Sequence, residues 1–282
     1  MTHPGKRRER DLTICLFLVI IFFKDSIIII KEIFMIESER NERVLHLKLN
    51  IPPVNVIDTA ACIELTAKLK EAAADETIAA VLLSGEGKCF SAGASVEEHG
   101  EKLAKEMIPA FAGACKALYE MPVPTAAMVH GFCFGGGFEL VLYADFIVAD
   151  PSASFAVPEV KLAFFPPLAC SALPGIVGRQ NAAHLIFTGD TIDAERAFNI
   201  GLVQKIVEQS GWTEIARRFN KTSAPVLRLA KEAYKLGLKT PVEETDGKIT
   251  KDLFLECLYK IQDLKEGIAS FNEKRKPAWQ HK

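Results

Sequence analysis

Three consecutive glycines, Gly135 to Gly137, stand between an apolar run, Thr125 to Val129, and a helical pattern at Phe138, Val141 and Leu142. Glycine lets a backbone turn sharply and approach other segments closely, so a strand must pass almost directly into a helix here. The first amides of a helix have no intrahelical partner and carry the positive end of its dipole, which makes such a turn a place to hold negative charge. Glu139 lies in the first turn, and a second acid, Glu159 in Phe155-Ala-Val-Pro-Glu159, follows 20 residues later. Two readings stand at this point. One is a tight connection followed by an ordinary first-turn glutamate; the other is an acid/base pair beside an oxyanion-holding turn.

An upstream segment favours the second reading. Lys88-Cys-Phe-Ser-Ala-Gly-Ala94 also follows a strand-like run, Ala79 to Leu83, and also exposes the backbone of small residues. Two amide donors from separate loops are what a developing carbonyl oxyanion needs. Around these segments the chain alternates. Helical spacing over Ala60 to Ala73 precedes a strand at Ala80 to Leu83, then a helix over Lys102 to Tyr119, the strand Thr125 to Val129 and a helix over Phe138 to Tyr143. Asn181 to Phe187 and Ala194 to Ile200 read as helices, Val203 to Val207 as a short strand, and the chain from Pro225 as wholly helical. Such alternation predicts an α/β protein with stacked parallel pairing rather than a sandwich.

The ordered set Phe90-Ser-Ala-Gly-Ala94, His130-Gly-Phe-Cys-Phe-Gly-Gly-Gly-Phe-Glu139, Ala144-Asp145, Phe155-Ala-Val-Pro-Glu159 and Thr188-Gly-Asp190 resembles the crotonase (enoyl-CoA hydratase/isomerase) superfamily from about Glu39 to the C-terminus. The resemblance implies a crotonase-like spiral of ββα/βαβ turns with a helical C-terminal region, acting on acyl-CoA thioesters. It implies that the amides of Ala94 and Gly136 hold the thioester oxygen and that Glu139 and Glu159 handle water and proton. The helical end is expected to build homotrimers or dimers of trimers.

Several segments resemble a narrower group, the cyclohexa-1,5-diene-1-carbonyl-CoA hydratases of anaerobic benzoyl-CoA degradation: Ser91-Ala-Gly-Ala-Ser-Val-Glu-Glu-His99, Pro158 to Leu162 with Phe165-Pro-Pro167, and Glu273 to Trp279. That group adds water across the ring diene to give 6-hydroxycyclohex-1-ene-1-carbonyl-CoA. Ala163 to Cys170 departs from the glycine-rich stretch usual in general hydratases, and its two prolines remove two N–H donors and stiffen the segment. It reads as a loop shaping an apolar pocket for a flat ring, with core filling by Phe164, Phe165 and the prolines as the other reading. The candidate substrate- and CoA-binding residues are Lys88, Ser91, Ala92, Phe165 and Pro166. Lys274-Arg-Lys276 is a further candidate for CoA phosphates, with a solvated tail as the alternative. His99 reads either as a surface histidine at a helix start or as part of the pocket.

Composition excludes more than it selects. With 282 residues and 49% hydrophobic content the chain can bury one substantial core, and a net charge of -2 exerts no pull toward nucleic acid or an anionic membrane. There is no G-x-x-x-x-G-K-[ST] loop and no G-x-S-x-G elbow, which removes support for nucleotide hydrolysis and serine esterase chemistry. Seven cysteines without a C-x-x-C pair read as reduced core residues of a cytoplasmic protein, and the six histidines show no metal-ligand spacing. No cofactor is expected, coenzyme A being part of the substrate.

Residues 1–34 stand apart. Lys6-Arg-Arg-Glu-Arg10 followed by Leu12 to Phe23 imitates a signal-like pattern, but Lys24-Asp25 interrupts it short of the roughly 20 apolar residues that span a bilayer. These residues read as an extension from a start codon set too early, with Met35 as the initiator and a membrane anchor as the alternative. Residues 35–224 then form the spiral core and 225–282 the helical trimerisation region. Ile36 to Asn50 reads as one opening strand with Leu45, Leu47 and Leu49 alternating. Three functions differ in kind: a ring-diene hydratase, a general short-chain enoyl-CoA hydratase or isomerase, and a non-catalytic acyl-CoA-binding protein.

Overall fold

The structure is a computed structural model that describes residues 34–239 and 246–282, with the backbone of two strands nearer the N-terminus. Those strands, β1 (Leu18–Phe23) and β2 (Ser26–Lys31), pair antiparallel in a unit of their own, residues 1–34. The reading of that segment as an extension or anchor otherwise falls outside the described residues. Among the described residues no helix is long and apolar enough to cross a membrane.

Residues 35–282 form the second unit. It opens with β3 (Ile36–Asn41) and β4 (Val44–Leu49), paired antiparallel around Glu42, whose φ is 53°. The single strand expected over Ile36 to Asn50 is thus a hairpin. Only Ile36 of β3 is buried, so the polar run that follows it makes an exposed edge strand, while Val44, Leu47 and Leu49 carry β4 into the core.

From β4 onward a strand–strand–helix turn repeats. β4, β5 (Val56–Ile57) and α1 (Thr59–Ala74) make the first turn; β6 (Ala80–Gly85), β7 (Gly93–Ala94) and α2 (Ala104–Glu120) the second. β8 (Thr125–Val129), β9 (Phe132–Phe134) and α3 (Gly136–Val141) make the third. β10 (Phe146–Ala149), β11 (Ser154–Ala156) and α4 (Pro167–Val177) make the fourth. The chain continues through α5 (Arg179–Thr188), β12 (Ile192–Asp193), α6 (Ala194–Asn199), β13 (Lys205–Ile206), α7 (Trp212–Asn220) and α8 (Ala224–Gly237). A π-helix, Asp246–Cys257, and α9 (Gln262–Asn272) complete it.

The long strands form a six-stranded sheet in the order β13-β10-β8-β6-β4-β3, parallel except for the opening hairpin. β6 and β8 are buried at every residue, as expected of parallel strands covered on both faces. One face, with Val81, Leu83, Ala127 and Val129, joins the main core against α1 and α2; the other, with Ala80, Leu82, Ala126 and Met128, packs against Ile215 and Ala216 of α7. The short strands pair separately, β5 with β7 and β12-β11-β9 as a three-stranded sheet. This is the crotonase-like α/β spiral, with a helical C-terminal region.

The helical tail is tied to the spiral by polar contacts. Lys231 of α8 forms an ion pair with Asp145, which also accepts a 2.7 Å bond from the amide of Thr125. Trp279 Nε1 donates to the carbonyl of Lys221 at 2.6 Å, while within the tail itself Asp263 accepts from the amides of Gln280 and His281.

Candidate active site

Parallel pairing in the short sheet brings the two acids together. Phe134 of β9 lies opposite Ala156 of β11, and the Gly135 amide extends the ladder by donating to the Ala156 carbonyl at 2.9 Å. Glu139 therefore leaves the end of one strand and Glu159 the end of its neighbour. Gly135 adopts φ 49° at this crossing, and a Cβ there would lie 3.2 Å from Glu159 Oε1, so glycine meets both the backbone and the space requirement.

The expected amide donors converge on the same place. Ser95 donates its N–H to Ile57 of β5 at 2.9 Å, so the alternation of a strand turns the Ala94 N–H to the opposite side. There the start of α3 approaches so closely that a Cβ on Gly136 would lie 2.9 Å from Ala94 N. The first intrahelical bond of α3 runs from the Glu139 amide to the Gly135 carbonyl, which leaves the Gly136 N–H outside the helical ladder. The Ala94 and Gly136 amides and the two acids are thus gathered at the C-terminal ends of β7, β9 and β11.

The acids stand in different settings. Glu139 is buried, and its Oε1 accepts bonds from the amides of Leu168 at 2.8 Å and Ala169 at 2.9 Å. These are first-turn amides of α4. Pro167 occupies the first helical position, where no N–H is needed, so the next two amides are free to point at Glu139. Burial pushes the Glu139 carboxyl above its usual range, while the Ala169 and Leu168 amides and the nearby His99 pull it back. Glu159 is only partly buried, yet its Oε2 is enclosed without a hydrogen-bond partner. Burial, reinforced by the charge of Glu139, pushes the Glu159 carboxyl up to about 7. Burial favours the neutral form of both acids, and only Glu139 has two amides that favour its charged form, so the two carboxyl groups differ in the partners that an acid/base pair can use.

The remaining sequence candidates divide. Lys88 and Ala92 are exposed on the segment that leads to β7. Ser91 is fully buried; its Oγ donates to the Asn55 carbonyl at 2.6 Å and accepts from the Gly93 amide at 3.0 Å. Its side chain braces β7 from within. Pro166 is buried ahead of α4, whereas Phe165 remains 67% exposed. The expected loop over Ala163 to Cys170 is half helix, because α4 begins at Pro167, whose fixed φ suits a first helical position. Arg275 is engaged by Glu266 at 2.5 Å and Glu273 at 2.5 Å, while Lys274 and Lys276 are exposed.

Two groups escaped the sequence reading, and a third was left with two alternatives. The amides of Leu168 and Ala169 hold Glu139, and Pro-Pro ahead of an apolar run was the available signal for that helix start. The Phe111 ring lies beneath the amide pair, 3.2 Å from where a Gly136 Cβ would be. His99, in a 3-10 turn at Glu97–His99, is half-buried and packs on Phe164 with ring centroids 5.1 Å apart.

Comparison with known proteins shows the family. The family described as enoyl-CoA hydratase/isomerase matches residues 39–282. Cyclohexa-1,5-dienecarbonyl-CoA hydratase of Thauera aromatica is 31% identical over 247 residues, covering 86% of this chain and 95% of that protein. A probable enoyl-CoA hydratase of Rhizobium meliloti is 34% identical over 251 residues, covering 86% and 97%. The crystal structure of an enoyl-CoA hydratase from Bacillus anthracis superposes with a TM-score of 0.83 at 28% identity, covering 88% of this chain and all of that one. The chain is an enzyme belonging to the enoyl-CoA hydratase/isomerase family.

Proposed function

We propose that this enzyme adds water reversibly to a conjugated acyl-CoA thioester, and that its substrate is cyclohexa-1,5-diene-1-carbonyl-CoA, giving 6-hydroxycyclohex-1-ene-1-carbonyl-CoA. The observation that carries the reaction type is the unequal carboxyl pair, Glu139 held by two amides and Glu159 raised to about 7, beside the Ala94 and Gly136 amides. In the hydration direction Glu139 orients a water and takes its proton as the oxygen bonds to the carbon β to the thioester. The displaced electron pair moves to the thioester oxygen, where the Ala94 and Gly136 N–H groups receive it. Neutral Glu159 delivers a proton to the far carbon of the diene, and the two acids exchange roles in the reverse direction. A preorganised amide donor of this kind is worth about 10²–10³ in rate.

The ring substrate is supported by the likeness to the Thauera aromatica enzyme and by the apolar run Phe164, Phe165 and Pro166, whose first amide donates to the Glu159 carbonyl. The likeness to a probable enoyl-CoA hydratase supports the second reading, a general short-chain hydratase with the same acids. Coenzyme A enters as part of the substrate, with Lys88 and the Ala92 backbone as candidate contacts, and no further cofactor is required by this chemistry. Tyr234, Leu238, Phe254, Leu255 and Phe271 expose apolar surface on the C-terminal helices, which supports a homotrimer or dimer of trimers.

Protein starting at Met35, offered cyclohexa-1,5-diene-1-carbonyl-CoA and crotonyl-CoA side by side with chromatographic product analysis, tests the substrate. Preference for the ring diene supports the first reading. Preference for crotonyl-CoA replaces it with the second, and inactivity toward both together with tight acyl-CoA binding would favour a non-catalytic binding role.

A further inference from the structure

Two chain segments lead away from the paired acids and amides. One runs from the oxyanion strand β7 through Ser95 to the turn at Glu97–His99; the other runs from Glu159 through Phe164 to α4. A ring contact between His99 and Phe164 joins them. His99 Nδ1 is anchored on the Ser95 carbonyl at 2.7 Å, and the imidazole packs on Phe164 at a centroid distance of 5.1 Å with the planes inclined by 56°. Phe164 is fixed from its own side, since its amide donates to the Glu159 carbonyl at 3.0 Å. The residue before it, Ala163, adopts φ 62°, a left-handed conformation that a side-chain-bearing residue rarely takes and that is compatible with a functional constraint.

The pair is held but not hidden. Phe164 keeps 43% of its surface exposed and His99 is half-buried, with exposed Val96 and Leu162 on the same two segments. Resting on the acyl-CoA reading above, we propose that the His99–Phe164 pair is the specificity-determining wall of the acyl pocket, favouring flat cyclic acyl groups through contact with two tilted rings. His99 serves as a positioning and specificity residue, with its ring orientation set by Ser95.

The test compares binding of two unreactive thioesters, cyclohexanecarbonyl-CoA and butyryl-CoA, by calorimetry. For His99→Ala and Phe164→Ala we expect the ring ester to weaken about tenfold relative to butyryl-CoA, the size of a lost aromatic contact. The double variant should be no more than about twofold worse than the weaker single one, because both residues build one wall, and His99→Phe should keep most of the selectivity while losing the Ser95 bond. Equal weakening of both esters, an unchanged ratio, multiplying single effects, or binding of neither ester by the unsubstituted enzyme would overturn the wall. Thermal melts of each variant separate misfolding from lost selectivity, with His99→Phe as the variant that retains ring volume. Enzyme that binds both esters yet hydrates no enoyl-CoA would overturn the hydratase reading alone, and the binding ratio would still decide the wall.

Discussion

Glu139 Oε1 lies 2.8 Å from the amide of Leu168, so the acid that opens one helix serves as the N-terminal cap of another. The bond ties chemistry to folding. The same oxygen that steadies the carboxylate also satisfies orphan donors of α4, and separating these roles is a matter of choosing the substitution.

Glu139→Gln keeps an acceptor oxygen for the Leu168 and Ala169 amides but cannot act as a base. Turnover should fall by about 10²–10⁴ with the fold intact. Glu139→Ala removes the acceptor as well and should cost a further 1–3 kcal/mol or so in stability, read by urea denaturation. Equal stability of the two variants would show that the cap contributes nothing.

Glu159 predicts a stability slope. Its carboxyl is raised from 4.5 to about 7, so the folded protein holds this proton through a window in which the unfolded chain has released it. With more protons bound in the folded state, stability is present at low pH and falls as pH rises from about 4.5 to about 7. Melting temperatures across that window should decline less steeply in Glu159→Gln than in the unsubstituted enzyme. Glu139 titrates in the same direction and leaves a residual slope in the variant. Parallel profiles would place the raised carboxyl elsewhere.

Gly136→Ala would put a methyl 2.9 Å from Ala94 N and push the two amide donors apart. Turnover should drop about 10²–10³, as for the loss of one oxyanion donor. Gly113→Ala is the matched control: it lies inside α2 with nothing within 4 Å of the new methyl, and should leave turnover unchanged while stabilising by about 0.5–1 kcal/mol. Comparable turnover in the two variants would remove Gly136 from the oxyanion site.

Lys231 anchors α8 by reaching Asp145 with only 5% of its side chain exposed, against 20% for its partner. Lys231→Met leaves a poorly solvated carboxylate behind and should destabilise by about 3 kcal/mol. Adding Asp145→Asn should recover part of that loss, because the amide still pairs with Thr125 without carrying charge. Chemical denaturation of the three variants checks the sign, and a double variant weaker than Lys231→Met would contradict it.

The spiral was legible wherever one local pattern implied one element. Ala79 to Leu83 and Thr125 to Val129 are apolar at nearly every position and could only be buried strands, and the glycines before Glu139 announced a strand-to-helix turn. The hairpin at Glu42 and the early start of α4 at Pro167 were misread, because in each case a polar turn or a proline pair outweighed the periodicity around it.

The chain's own order of residues determined the alternating strands and helices, the glycine turn, and two glutamates and two small-residue loops able to serve one thioester. Tertiary structure alone decided which groups surround them. Pairing of β9 with β11 set the acids on neighbouring strand ends, α4 brought amides to Glu139 from 29 and 30 positions away, and Phe164 met the ring of His99. It also turned Ser91 inward as a brace. The physical reason is that period and propensity act within a few residues, whereas the burial and the partners that separate two carboxyl groups come from segments far apart along the chain.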